Sequence, residues 1–167
     1  MARNRETLWS PAIFSRFFDK LTAMAPPQLI RLNLRASIEY AGIAPAPFDG
    51  PFPVDDETRE FLFCFELDRG QAARIDPDPE AFPGTRVFSA KRGGPEGSAP
   101  AERRLLPAGQ YAFMQERREL SREECVALAI ELQKDGLWER LRLGTRLYVR
   151  RLFEDGSPVT QVFRPFS

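Results

Sequence analysis

The chain has 167 residues, of which 24 are basic, 24 are acidic and none is histidine. This length fits a single domain over residues 1–167 that buries roughly 70% of the surface of its unfolded chain. The absence of histidine excludes a Ser-His-Asp triad, a histidine-based zinc site and a Cys-His nucleophile pair, and the balanced charge argues against direct binding to nucleic acid.

The first predicted element is a helix over residues 10–25. Ser10 is a suitable N-cap and Pro11 a suitable first helical residue, and apolar side chains follow them at helical spacing. The two prolines at 26–27 end this helix. Because few residues precede Ser10, a first strand is either present within residues 3–9 or missing.

Two strands are predicted next, over residues 35–44 and 60–68, and a proline-rich stretch at 45–53 predicts a loop between them. The second strand alternates, so that one face carries phenylalanines and leucine. The opposite face carries Leu62, Cys64 and Glu66. Because both faces are largely apolar, we expect a central strand covered on both sides. Glu66 is the exception, and it lies either at a rim in water or in a ligand cavity.

Turn-forming residues dominate the middle of the chain. Residues 76–84 predict a loop, and a short strand follows over 85–90. Residues 91–104 are rich in glycine, proline and charge without apolar periodicity, which predicts a mobile surface loop. The next strand, over 105–114, is entered through a Pro-x-Gly bend.

The last third of the chain predicts a helix followed by a hairpin. Ser121 and Glu124 have the spacing of a capping box, and the helix that they open is expected to end at 134–136, where a glycine follows a basic residue. Strands over 145–153 and 159–164 come next. The Asp-Gly pair between them is a strong hairpin signal.

The order of these elements indicates two copies of a β-α-β-β unit, at about residues 3–75 and 85–166. Two such units side by side predict an α+β fold with one antiparallel sheet and both helices on one face. The first strand of the first copy is short or missing. The other face of the sheet would then form a concave groove or require a partner.

Several of these segments resemble the gyrase-inhibitor-like superfamily, which includes the effector-binding domains of AraC-type and multidrug-responsive regulators and the SOUL haem-binding proteins. Members show a Pro-Ala-Gly-x-Tyr-Ala strand, which this chain has at Pro107–Ala112. The aromatic strand TRLYVRR at 145–151, the final strand QVFRPF at 161–166 and YAGIAP at 40–45 are also similar to that family. The resemblance spans most of residues 10–166.

This resemblance implies a cleft between the two halves that binds small amphipathic or aromatic molecules. Drug-binding members place a glutamate two residues before the tyrosine of the penultimate strand, where it attracts cations. Here Arg146 stands two residues before Tyr148, which favours a carboxylate, a phosphate or no charged ligand, unless Glu66 supplies negative charge. A haem role lacks the usual histidine, and no DNA-binding domain is expected in this chain.

The predicted ligand-binding residues are polar aromatic or charged side chains on the strands, because such groups need a partner when buried. They are Tyr40, Glu66, Tyr111, Arg146 and Tyr148.

The leading hypothesis is therefore a stand-alone module that binds or senses a small molecule. The alternative is a protein-interaction or inhibitor module that uses the uncovered sheet face. A small-molecule hydrolase, with Glu66 as general base beside Tyr111, is a third hypothesis. No catalytic residue is assigned.

No cofactor or metal site is expected, since the acidic clusters at 55–57 and 76–80 lack the pattern of a calcium loop. The sequence has no apolar run long enough to cross a membrane and no secretory signal at its N-terminus. Its two cysteines, Cys64 and Cys125, form no CxxC pair. A cytoplasmic protein is the expectation.

Overall fold

The computed structural model describes residues 8–9, 27–41, 60–91 and 103–167. Within them the protein is α+β: six antiparallel strands and one short parallel edge strand form a large seven-stranded sheet, and two helices are present. The strands are β1 (Leu8–Trp9), β2 (Ile30–Leu34), β3 (Ile38–Ala41), β4 (Glu60–Glu66), β5 (Thr85–Lys91), β6 (Arg103–Leu106), β7 (Gly109–Glu116), β8 (Arg146–Glu154) and β9 (Ser157–Pro165). The helices are α1 (Arg69–Ala72) and α2 (Arg122–Trp138), with a 3-10 turn at Pro79–Ala81.

The main sheet has the strand order β1-β2-β7-β9-β8-β4-β5, in which the short β1 runs parallel to β2 and every other pair is antiparallel. The second predicted unit is present as β7-α2-β8-β9, and the first predicted strand as β1. The N-terminal strands flank this unit, because β2 pairs with β7 on one side and β4 with β8 on the other. The predicted helix over 10–25, the predicted loop over 45–53 and residues 92–102 of the predicted loop over 91–104 lie outside the described residues. The ends of that last loop were predicted wrongly, because Lys91 belongs to β5, and Arg103 and Arg104 belong to β6.

The C-terminal hairpin is confirmed. Strands β8 and β9 pair from Tyr148–Phe163 to Glu154–Ser157. The two residues of the turn, Asp155 and Gly156, both have positive φ, at 51° and 75°. A two-residue turn of this kind matches the twist of the paired strands and accepts Asp-Gly with little strain.

Helix α2 begins as predicted and ends later. Ser121 accepts from the Glu124 amide while the Glu124 carboxylate accepts from the Ser121 amide. The helix was expected to end at Gly136 but continues to Trp138. Gly136 is buried inside it, where an added Cβ would lie 2.9 Å from a methyl carbon of Leu143. The glycine therefore permits close packing and does not end the helix.

Two predicted strands, over 35–44 and 105–114, are wrong in their extent. The two paired chain segments bend together there and leave the main sheet. Leu34 pairs with Gly109 in the main sheet, and Ile38 pairs with Leu106 in a separate two-stranded sheet. Pro107 has no amide hydrogen for the ladder at this bend. The Ala108 amide donates instead to the Ser37 hydroxyl, at 3.1 Å. We call β3 and β6 the flap.

Each face of the main sheet packs against its own apolar core. On the helix side, the phenylalanines of β4 pack with α2 and with Ala72 of α1. On the flap side, Ile38, Tyr40 and Leu106 of the flap pack with Leu62 and other residues of the sheet. Among the described residues, no helix is long and apolar enough to cross a membrane.

A fully buried arginine joins the elements at one end of the helix side. Arg164 of β9 donates to the Gly144 carbonyl from Nε (3.0 Å) and Nη2 (2.6 Å), to the Ala72 carbonyl from Nη2 (3.1 Å), and to the Gln133 side chain from Nη1. Gln133 in turn donates to the carbonyl of Gln71 at 2.7 Å. One guanidinium thus connects β9, both helices and the segment that leads into β8.

We expect Arg164→Met to lower the free energy of unfolding by about 3 kcal/mol or more, because several buried acceptors lose their donor together. Urea denaturation measures this loss. The matched control is Arg142→Met, which changes an exposed arginine nearby and is expected to shift stability by less than about 0.5 kcal/mol. A loss below about 1 kcal/mol for Arg164→Met would contradict the role assigned to this residue.

Two glycines have a left-handed backbone conformation, but an added side chain would clash with neighbouring atoms at only one of them. At Gly84, with φ of 88°, an added Cβ would lie 2.3 Å from the Glu66 carbonyl oxygen, whereas at Gly156, with φ of 75°, nothing lies within 4 Å. We expect Gly156→Ala to cost about 1 kcal/mol and Gly84→Ala roughly 3 kcal/mol or more. Equal losses in thermal or urea unfolding would refute the close contact at Gly84.

Candidate functional site

The flap side of the main sheet holds all five residues predicted to bind ligand, at two separate places. Strand alternation sets this face: Cys64, Tyr148, Phe163 and Phe113 form one row across β4, β8, β9 and β7. Tyr111 lies beside this row, with its ring edge-on to Tyr148 at 6.1 Å between centroids. These side chains are buried and form an aromatic floor.

A charged pair lies at the end of the strands beside this floor. Glu66 of β4 and Arg146 of β8 are directly opposite cross-strand partners, with Arg146 Nε 3.2 Å from Glu66 Oε2. The Thr145 hydroxyl donates to the other carboxylate oxygen, at 2.5 Å. The two charged side chains are about half exposed, at 44% for Glu66 and 48% for Arg146. At this end of the face an exposed charged pair therefore lies beside buried aromatic side chains.

Burial controls the protonation of the floor. It raises the pKa of the Cys64 thiol to about 11 and the pKa of the Tyr148 hydroxyl to about 12, although the nearby Arg146 guanidinium lowers both pKa values in part. Burial also raises the pKa of Tyr111, whose hydroxyl donates to the Pro107 carbonyl at 2.6 Å. The thiol and both hydroxyls are therefore neutral at pH 7.

Tyr40 was predicted to join the same site, but the structure places its hydroxyl elsewhere. Tyr40 belongs to the flap and donates to Glu60 at the opposite end of β4. Arg150 donates to the same Glu60 carboxylate. Tyr40 therefore fastens the flap to the sheet through a buried ion pair, while Glu66, Tyr111, Arg146 and Tyr148 stay together at the other end.

The flap side also holds a row of buried polar residues that the sequence did not predict. Arg150 donates to the Gln161 side chain at 3.2 Å, and Gln161 donates to Gln115 at 2.9 Å. All three are at most 5% exposed, and with Glu60 they cross four neighbouring strands. The available signal was alternation: Arg150 must share a face with Tyr148 and Arg146. The partner glutamines depend on the register between distant strands, which no local pattern shows.

Cys64 is the other residue of the site that was not predicted as functional. Alternation had already placed it on the same face as Glu66, two residues earlier in β4. The structure puts it opposite Tyr148 and close enough to Arg146 for the charge to affect its pKa. Because its thiol stays protonated, it is a poor nucleophile in this state.

The arrangement suits binding better than acid–base chemistry. Both oxygens of Glu66 accept hydrogen bonds, from Thr145 and Arg146, and the Tyr111 hydroxyl is directed to a backbone carbonyl. The suggested pairing of Glu66 with Tyr111 as base and partner therefore finds no support in these contacts. In the described part of the chain, no group of three or more cysteine or carboxylate side chains is placed to hold a metal ion.

Comparisons with known proteins add no assignment, since no protein-family model and no curated protein sequence matches the chain.

We expect Cys64→Ala to reduce the loss of stability at alkaline pH. Between the ordinary thiol pKa of 9.0 and the raised value of about 11, the unfolded chain releases a proton that the folded chain keeps. The contribution of Cys64 to stability is therefore complete below about pH 9 and is lost as the pH rises towards 11. Urea unfolding at pH 8, 9 and 10 compares the two slopes. Identical slopes would show that this thiol titrates alike in both states.

Proposed function

We propose that this chain is a small-molecule-binding module whose ligand lies against the aromatic floor at the Glu66–Arg146 end of the flap side. The observation that carries the proposal is the contact of a half-exposed ion pair with buried tyrosine and cysteine side chains on one sheet face. Apolar surface with a few convergent polar groups is the usual composition of a small-molecule site.

The chemistry of the floor favours an aromatic or amphipathic ligand. Tyr111 and Tyr148 already meet edge to face, a geometry that an added ring can extend. The exposed charged groups lie at the Glu66–Arg146 end of the floor, so that a ligand would place its ring against the floor and its polar group towards solvent. The resemblance of Pro107–Ala112 to the strand of effector-binding domains supports the same class of function, that of a module that senses a small molecule.

A second candidate is a protein-interaction module, favoured by a different part of the surface. Trp138, at the end of α2, is 82% exposed. Tryptophan is enriched among the residues that dominate the binding energy of protein interfaces. A partner that binds there would fail to bind a Trp138→Ala variant but would still bind a variant changed at Glu66 and Arg146. This difference distinguishes the second candidate from the first.

The test is a thermal-shift panel of neutral, cationic and anionic aromatic compounds with the wild type and two double variants. Glu66→Ala/Arg146→Ala removes the exposed pair of the site. Arg31→Ala/Glu139→Ala removes an equally exposed pair, 2.8 Å apart and 41% exposed on each side, away from the site. Exposed pairs contribute about 0–1 kcal/mol each, so both variants are expected to fold.

We expect at least one compound to raise the melting temperature of the wild type by several degrees. This shift should fall by half or more in the Glu66/Arg146 variant and persist in the Arg31/Glu139 variant. A flat panel, or a shift that both variants retain, would contradict binding at this site.

A further inference from the structure

A buried carboxylate at the hairpin end of the flap side plays no part in the proposed site. Glu154 is the last residue of β8 and directly precedes the Asp155-Gly156 turn. Strand alternation places it on the same face of β8 as Arg150, and it is 9% exposed. Its Oε2 lies 3.5 Å from Nη2 of Arg117. Its Oε1 is buried, and no donor among the described residues forms a hydrogen bond to that oxygen.

A carboxylate in this environment favours its neutral form. An ionised carboxylate loses its hydration on burial, and hydrogen bonds have to replace that hydration. A single contact at 3.5 Å is longer than a good charge-assisted hydrogen bond and replaces only part of it. Protonation removes the charge and with it most of the cost of burial. Burial accordingly raises the pKa of Glu154 above its ordinary value of 4.5.

The charged groups that face Glu154 reduce this effect without cancelling it. The guanidiniums of Arg117, which follows β7, and of Arg150 on β8 both lower the pKa of Glu154, whereas the Asp155 carboxylate of the turn raises it. Arg150 donates its hydrogen bond to Glu60 and acts on Glu154 through its charge alone. Burial therefore outweighs the two arginines.

The composition of the chain gives this carboxylate added weight. Histidine is the side chain whose ordinary pKa lies nearest to neutral pH, and the chain has none. Its response to mild acid therefore depends on carboxylates whose pKa values are shifted.

We infer that the folded chain binds a proton at Glu154, so that mild acid stabilises the fold through this residue. The inference does not depend on the proposed function, because Glu154 and Arg146 lie at opposite ends of β8. Glu60 and Glu154 carry two negative charges beside the two positive charges of Arg117 and Arg150. Proton binding at Glu154 leaves this group of four side chains with one net positive charge.

The stabilisation is present in acid and absent at neutral pH. The unfolded chain releases the proton near the ordinary value of 4.5, whereas the folded chain keeps it to a higher pH. The contribution of Glu154 is therefore complete below about pH 4.5 and is lost as the pH rises through the folded value.

The first experiment compares the wild type with Glu154→Gln, which removes the charge and keeps the shape of the side chain. The control is Glu80→Gln, which neutralises an exposed carboxylate on the 3-10 turn. Urea unfolding is measured at pH 5, 6, 7 and 8. We expect the urea midpoint of Glu154→Gln to exceed that of the wild type at pH 7 and 8, and the difference to shrink towards pH 5. Glu80→Gln should show no such gain.

The second experiment reads the proton directly in the folded wild type. A carbon-13 NMR titration follows the side-chain carboxyl resonance of Glu154, which is identified by its absence in Glu154→Gln. We expect a titration midpoint above the ordinary value of 4.5. A midpoint at or below 4.5 would overturn the inference. The midpoint is decisive even if glutamine packs less well than the carboxyl group, because it is measured in the unaltered protein.

Discussion

The end of the molecule that holds the Glu66–Arg146 pair depends on the hydrogen bonds of one buried group, the guanidinium of Arg164. Its acceptors are neutral groups, the carbonyls of Gly144 and Ala72 and the side chain of Gln133, and burial lowers its pKa to about 10. It therefore remains charged at pH 7, and its hydrogen bonds are charge-assisted. Because Gly144 leads directly to Thr145 and Arg146, the same guanidinium fixes where the charged pair of the flap side begins.

The sequence predicts the C-terminal half best, because its signals are local. The capping box of Ser121 and the Asp155-Gly156 turn need only neighbouring residues to form. The flap was not predicted, since its bend depends on two segments, at 35–37 and 107–108, that leave the sheet together. The end of α2 was misplaced for a similar reason: the packing of Gly136 against Leu143 is a tertiary contact.

The candidate site likewise contains features that local signals predict and features that depend on long-range contacts. Alternation along β4 placed Glu66 on one face with Cys64, and the pairing of β4 with β8 brings Arg146 and Tyr148 to the same face. Tyr40 was grouped with them because it is a polar aromatic residue, but the flap carries its hydroxyl to Glu60. The ion pair of Glu60 and Arg150 joins residues 90 positions apart, and only the register of β4 against β8 brings them into contact. Composition and local pattern do not contain that register.

Because successive side chains of a strand point to opposite faces of the sheet, neighbouring residues of one strand have different roles. In β9, Arg164 faces the helix side and organises the scaffold, whereas Phe163 faces the flap side and extends the aromatic floor. In β4, Phe65 belongs to the helix-side core and Glu66 to the charged pair. Residues that secure the fold and residues of the proposed site are thus interleaved in sequence but separated in space. Exposed positions such as 66 and 146 can therefore change in evolution while the opposite face keeps the protein folded, a modularity built into the sheet itself.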